Sequence, residues 1–180
     1  MAVELDGAPW RVLPGDVVVR SGLVEGRALD RETLRLVRRE LRRAEALVVA
    51  GRALRSRDLS RRRLAERLER TAPPAAVAES LATLERAGLV DDERVARSRA
   101  QGLAARGWGD EGIRHRLRAE AFGDDAIEAA LHAVEPESDR AEALIQSRGP
   151  GRRTARYLAS RGFGEEAVEA ALGAAFGQEG

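Results

Sequence analysis

Two histidines, His115 and His132, stand 17 residues apart, and the chain has no cysteine. Zinc sites and thiol chemistry need Cys or His in closely spaced sets, so neither is supported. No serine sits in a nucleophile elbow. Gly107-Trp108-Gly109 and Gly149-Pro150-Gly151 neither follow a strand nor lead into the Gly-Lys-Ser/Thr of a phosphate loop. The acidic doublets Asp91-Asp92, Asp110-Glu111, Asp124-Asp125 and Glu165-Glu166 each open an apolar-periodic segment. There a carboxylate satisfies free N–H groups and opposes the positive end of the helix dipole, so caps account for all four without magnesium binding or acid–base catalysis. No catalytic residue, metal ligand or cofactor is expected.

What recurs instead is arginine. Arg61, Arg62 and Arg63 open one helical segment; Arg114, Arg116 and Arg118 lie on a matching segment, and Arg152, Arg153 and Arg156 on a third. Arg67, Arg97 and Arg99 add to the set. The guanidinium fork suits phosphate and carboxylate and stacks on bases. The net charge of +1 conceals an uneven distribution, because Arg27 to Arg63 holds 13 Arg against 5 acids. A solvated helix face accounts for such a block, and so does a footprint for phosphate or for an acidic protein surface. All 31 basic residues are Arg, which a GC-rich coding bias would also produce. Trp108 lies in a glycine turn beside this set; base stacking is conceivable, and core or turn packing is the preferred reading.

The elements that position these side chains follow from periodicity. With 33 Ala among 180 residues and 3% aromatics, the chain reads as mainly α. Only the start differs: Val3–Leu5, Trp10–Leu13 and Val17–Arg20 are short β-type runs parted by Asp6-Gly7 and Pro14-Gly15, predicting an antiparallel hairpin or three-stranded ribbon. From Asp30, a plausible N-cap, Leu34, Val37, Leu41, Ala44 and Val48 mark the apolar stripe of a long helix. Arg35, Arg38, Arg39, Arg42 and Arg43 fall mainly off it.

The chain then repeats. Leu68, Val77 and Leu81, then Leu117, Ile127 and Leu131, then Leu158, Val168 and Leu172 are spaced by 9, 10 and 10 residues at the first step and by 4 at the second. Each copy is a basic helix, a turn and an acid-started helix. With the preceding helices at 31–55, 92–106 and 138–147, this predicts three three-helix repeats in tandem. The expected organisation is a β extension and connector over 1–29 and repeats over 30–90, 91–136 and 137–180. Stacked repeats would line up their basic middle helices as a discontinuous ribbon. The longest uncharged run, Ala170 to Gln178, is too short for a membrane span. No signal peptide is visible, so a cytoplasmic location is expected.

These residues resemble the RecX family, the small regulators of the RecA recombinase. The family pattern shows in Leu54–Leu68 (LRSRDLSRRRLAERL), Leu84–Arg99 (LERAGLVDDERVARSR), Arg106–Arg118 (RGWGDEGIRHRLR) and Tyr157–Leu172 (YLASRGFGEEAVEAAL). Gly88-Leu89-Val90-Asp91-Asp92 and Arg161-Gly162-Phe163 are the most specific pieces, and the likeness runs from about Asp30 onward. The pattern departs at Leu59, where Arg is usual, at Arg63, which replaces the Glu of a capping box, and at Val95, which replaces an aromatic.

The resemblance implies a modular helical protein in DNA repair and the SOS response, and a monomer is expected. Such a protein binds along the groove of the RecA–single-stranded DNA filament and reduces ATP hydrolysis, strand exchange and coprotease activity, without chemistry of its own. The twelve arginines named above are the expected filament and DNA contacts. Two other classes remain open from the residues alone: a general nucleic-acid-binding helical module, and a helical-repeat scaffold for another protein.

Overall fold

A computed structural model describes residues 1–176, with side-chain surroundings through residue 173. The last four residues of the third expected repeat lie outside the described residues. The chain divides into two compact units, Met1–Val90 and Asp91–Gly180.

In the N-terminal unit, β1 (Ala2–Leu5) and β2 (Ala8–Val12) form an antiparallel hairpin with a bulge at Val3/Glu4. Asp6 and Gly7 turn it with φ of 52° and 79°, the two positive values that a tight two-residue hairpin requires. The third β-type run is corrected: Gly15–Arg20 is a short helix, α1. Pro14 precedes it with extended ψ, Asp16 lies in its first turn, and the Ser21 hydroxyl donates to the Val17 carbonyl at 2.6 Å. One helical turn buries Val17 with Leu13, Val37 and Ala44, and that burial overrides the β preference of three consecutive valines.

Helix α2 (Arg31–Ser56) starts as expected, with the Asp30 carboxylate accepting from the Thr33 N–H at 2.7 Å. Its first half packs on α1 and the hairpin. Its second half joins α3 (Arg61–Leu68) and α4 (Pro74–Arg86) around Ala50, Ala53, Leu64, Leu68, Val77 and Leu81. The predicted stripe needs two corrections. Val48 is 53% exposed, because its 3,4-spaced series drifts around a 3.6-residue helix while Ala46, Ala50 and Ala53 take over the contact. Arg43, placed on the basic side, is buried between α2 and α4, where it donates to the Thr83 hydroxyl at 3.1 Å and pairs with buried Glu40.

The C-terminal unit holds two further three-helix cores. Helices α5 (Asp92–Ala104), α6 (Asp110–Ala119) and α7 (Asp124–His132) enclose Val95, Ala100, Ile113, Leu117, Phe122 and Ile127. Helices α8 (Glu137–Arg148), α9 (Arg152–Ser160) and α10 (Glu165–Phe176) enclose Ala141, Ala155, Leu158, Phe163, Ala167 and Ala171. The fold is thus mainly α, with three successive three-helix cores and a small hairpin. The repeat anchors are not equally deep: Ile127 is fully buried, while Val168, Leu131 and Leu172 are half-buried and the neighbouring Ala130 and Ala171 sit deepest. No helix among the described residues is long and apolar enough to cross a membrane.

Candidate nucleic-acid and protein interface

Helix starts decide which charges are spent inside the fold. Of the doublets at α5, α6 and α7, only that of α5 caps through its side chain: the Asp91 carboxylate accepts from the Arg94 N–H at 2.9 Å. Gly109 and Gly123 are the N-caps of α6 and α7, and their doublets occupy the first turn, where they oppose the dipole. The α6 amides are satisfied from elsewhere. Gly109 donates to the Arg161 carbonyl at 3.0 Å, Glu111 donates to the Gly162 carbonyl at 3.1 Å, and Asp110 donates to the Glu137 carboxylate. The second oxygen of Glu137 accepts from Gly164 at 3.1 Å, just ahead of α10. One carboxylate therefore ties together the starts of α6 and α10. Gly109 and Gly112 permit the approach, since a Cβ on either would overlap backbone atoms of residues 161–163.

Around this junction the arginines stack on aromatic rings. Arg116 and Arg161 lie over Trp108, 3.6 and 4.6 Å from its centroid; Arg161 and Arg148 lie over Tyr157 at 5.1 and 3.9 Å. Arg140 is buried, bonded to the Trp108 and Glu135 carbonyls and paired with Asp110. Trp108 is thus engaged in turn packing. Arg148, Arg140 and Glu137 were not singled out from the sequence, and Arg161 was marked only as part of the Arg161-Gly162-Phe163 motif, because nothing in their spacing announces a junction between two repeats.

The twelve predicted arginines fall into distinct environments. On α3, Arg61 pairs with Glu85 at 2.5 Å, and Arg62 and Arg63 pair with Glu66 at 3.5 and 3.3 Å. On α6, Arg114 is held by Glu111 and, at 2.8 Å, by Glu128; it is mostly covered. The bond from Arg114 holds the Glu128 carboxyl below its ordinary pKa. Arg118 pairs with Asp124 at 3.1 Å, and Arg99 lies 3.3 Å from Glu120. Arg67, Arg97, Arg152, Arg153 and Arg156 are exposed and make no ion pair among the described residues.

Matching the buried pairs Leu64/Leu68, Ile113/Leu117 and Thr154/Leu158 sets the register of the middle helices. Arg62 and Arg63 then correspond to Arg152 and Arg153, whereas α6 has Glu111 and Gly112 at those places. Helices α3 and α9 thus share arginine at two positions where α6 has none, while Arg67 matches Arg116 of α6 and Tyr157 of α9. His115 and His132 are both exposed. Among the described residues no group of three or more His, Asp or Glu is gathered as a metal would require.

Together these features define a mainly helical repeat protein with arginines on all three of its middle helices. No family model matches the chain. A curated relative, Regulatory protein RecX from Deinococcus radiodurans, is 33% identical over 145 residues, covering 74% of this chain and 70% of the relative. Regulatory protein RecX from Chromohalobacter salexigens is 36% identical over 133 residues, covering 68% and 88%. The chain belongs to the RecX family of regulatory proteins. The fold is also that of a crystal structure of regulatory protein RecX, with TM-score 0.77 at 22% identity over 93% of this chain and 90% of that one. RecX from Lactobacillus salivarius gives TM-score 0.62 at 17% identity over 72% and 94%.

Proposed function

We propose that this protein regulates a RecA recombinase by binding its filament on single-stranded DNA and lowering the filament's ATPase, strand-exchange and coprotease activities. Family membership supports the regulatory role. The observation that carries the contact assignment is the exposed face of α9, unpaired among the described residues, where Arg152, Arg153 and Arg156 follow one another at one- and three-residue steps. In the N-terminal unit Arg67, and in α5 Arg97, offer further free guanidinium groups. Guanidinium forks of this kind meet phosphates and carboxylates alike, which suits a surface made of both DNA and protein.

Regulation then needs no chemistry by this chain. A ligand that binds one nucleotide-linked state of a filament more tightly shifts the filament toward that state by its differential affinity. The test is ATP hydrolysis by the cognate RecA on saturating single-stranded DNA, titrated with this protein. Excess DNA removes competition for DNA as an explanation. The rate is expected to fall at protein concentrations well below that of RecA; an unchanged rate at equimolar protein overturns the proposal.

A further inference from the structure

The N-terminal unit carries a second basic feature, one that the middle helices do not account for. Along α2, Arg35, Arg38 and Arg42 recur at three- and four-residue steps on one face and span about 10 Å of helix. All three are exposed and make no ion pair or hydrogen bond among the described residues. Their neighbours differ: Arg39 is paired with Glu79, and Arg43 is buried.

The three free side chains line two adjoining cavities of about 310 and 320 Å³, which share Arg38, Arg42 and Pro73 and so form one trough between α2 and the start of α4. Arg11, reaching from β2, lines the trough as well; it too is exposed and unpaired among the described residues. Glu45 is the single carboxylate on its walls. Helix α4 opens beside it with Pro73 as an uncapped N-cap and no acid in its first turn. That end adds positive potential where α5, α6, α7, α8 and α10 have carboxylates to offset it.

We propose that this trough binds the phosphodiester backbone of single-stranded nucleic acid, as a site of this unit that needs no recombinase. Four guanidinium groups from two elements, unpaired among the described residues, line a solvent-open surface, with Arg39 held by Glu79 beside them. That surface carries one further carboxylate, Glu45, and the excess of positive charge favours a polyanion. The two adjoining cavities, about 310 and 320 Å³ and open to solvent, offer room for a short segment of single strand along α2. The apolar walls from Leu41, Pro73, Ala75 and Ala76 suit sugars and bases better than a small free anion. The trough is distinct from the α3 arginines: Arg61 bonds Glu85, nine residues beyond Ala76 along α4 and so about 14 Å away.

The experiment uses the full chain and a fluorescein-labelled oligothymidine of about 20 nucleotides, read by anisotropy across a salt series without RecA. The triple variant R35Q/R38Q/R42Q is expected to lose roughly tenfold or more in affinity at low salt. It should also flatten the log–log salt dependence by about 2, since each single-strand phosphate contact contributes about 0.7. Unlabelled single strand should displace the probe well ahead of duplex of equal nucleotide content. The single variant R38Q gives a flattening of about 0.7 and keeps the test intact if the triple variant loses helicity by circular dichroism. Unchanged affinity and slope, or absence of binding by the unaltered protein, overturns the proposal, and equal displacement by duplex overturns the single-strand assignment. Because RecA is absent, this result is independent of the ATPase titration. A variant that loses oligothymidine binding yet still inhibits RecA separates the trough from the filament contact.

Discussion

Gly112 shows how closely two backbones meet in the C-terminal unit. A Cβ there would collide with the Arg161 carbonyl and touch the Trp108 ring at 2.8 Å. Gly112→Ala is therefore expected to cost about 1–3 kcal/mol, the range for overpacking a tight contact, although alanine favours helices elsewhere. Urea unfolding checks this, and a neutral or stabilising effect would show that the α6 start can retreat from residues 161–163. At the same scale, Arg152, Arg153 and Arg156 are exposed and make no ion pair among the described residues. Their triple replacement by Glu should leave the thermal midpoint within about 5 °C, since each exposed substitution changes stability by about 0.5 kcal/mol or less and each kcal/mol moves the midpoint of a chain this size by about 2–4 °C. It should raise the amount of protein needed to inhibit RecA ATPase by tenfold or more, by the charge reversal at a contact surface. Unaltered inhibition would remove α9 from the contact.

Helix starts carry the next level. In α2, α3 and α5 the cap comes from the residue just before the helix: Asp30, Ser60 and Asp91 accept from the backbone three positions on. That geometry is local and is read directly from sequence. In α6 and before α10 the donors are satisfied by Glu137, 27 residues away from each. Glu137→Ala removes acceptors from two helix starts at once, and a loss of about 1–2 kcal/mol is expected from typical cap energies. Glu137→Gln should recover part of it, because one amide oxygen still accepts. If Glu137→Ala unfolds at the same urea concentration as the unaltered protein, solvent satisfies those amides and the carboxylate is dispensable.

Over the whole molecule, acid is the condition that loosens both units. In the N-terminal unit the Thr33 N–H bond to Asp30 holds that carboxyl below its ordinary value. In the C-terminal unit the Arg114 bond does the same for Glu128. A carboxyl depressed in the folded state binds fewer protons folded than unfolded, so its stabilisation is complete above the ordinary carboxylate pKa and is lost as pH falls through the folded value. The urea midpoint should fall as pH drops from neutral into the carboxylate range, and the double variant D30N/E128Q should show a shallower fall. Equal slopes for the two proteins would assign the acid response to other groups.

Much was legible from the chain alone. The 3.6-residue periodicity of apolar residues, the Asp-Gly hairpin and the repeated Leu, Val and Ile anchors are local signals, because helix and turn energetics act over a few residues. The helical class and the three three-helix cores follow from them. Only packing decided the rest. The valines of Gly15–Arg20 became helical because a core was available to bury them. Arg114 was drawn to Glu128 and Arg140 was buried against Trp108 because partners 14 and 32 residues away reached them. Which arginines remain free is a property of three-dimensional neighbours, since a guanidinium is neutralised by whatever carboxylate lies within a few ångströms, and sequence order does not encode that distance.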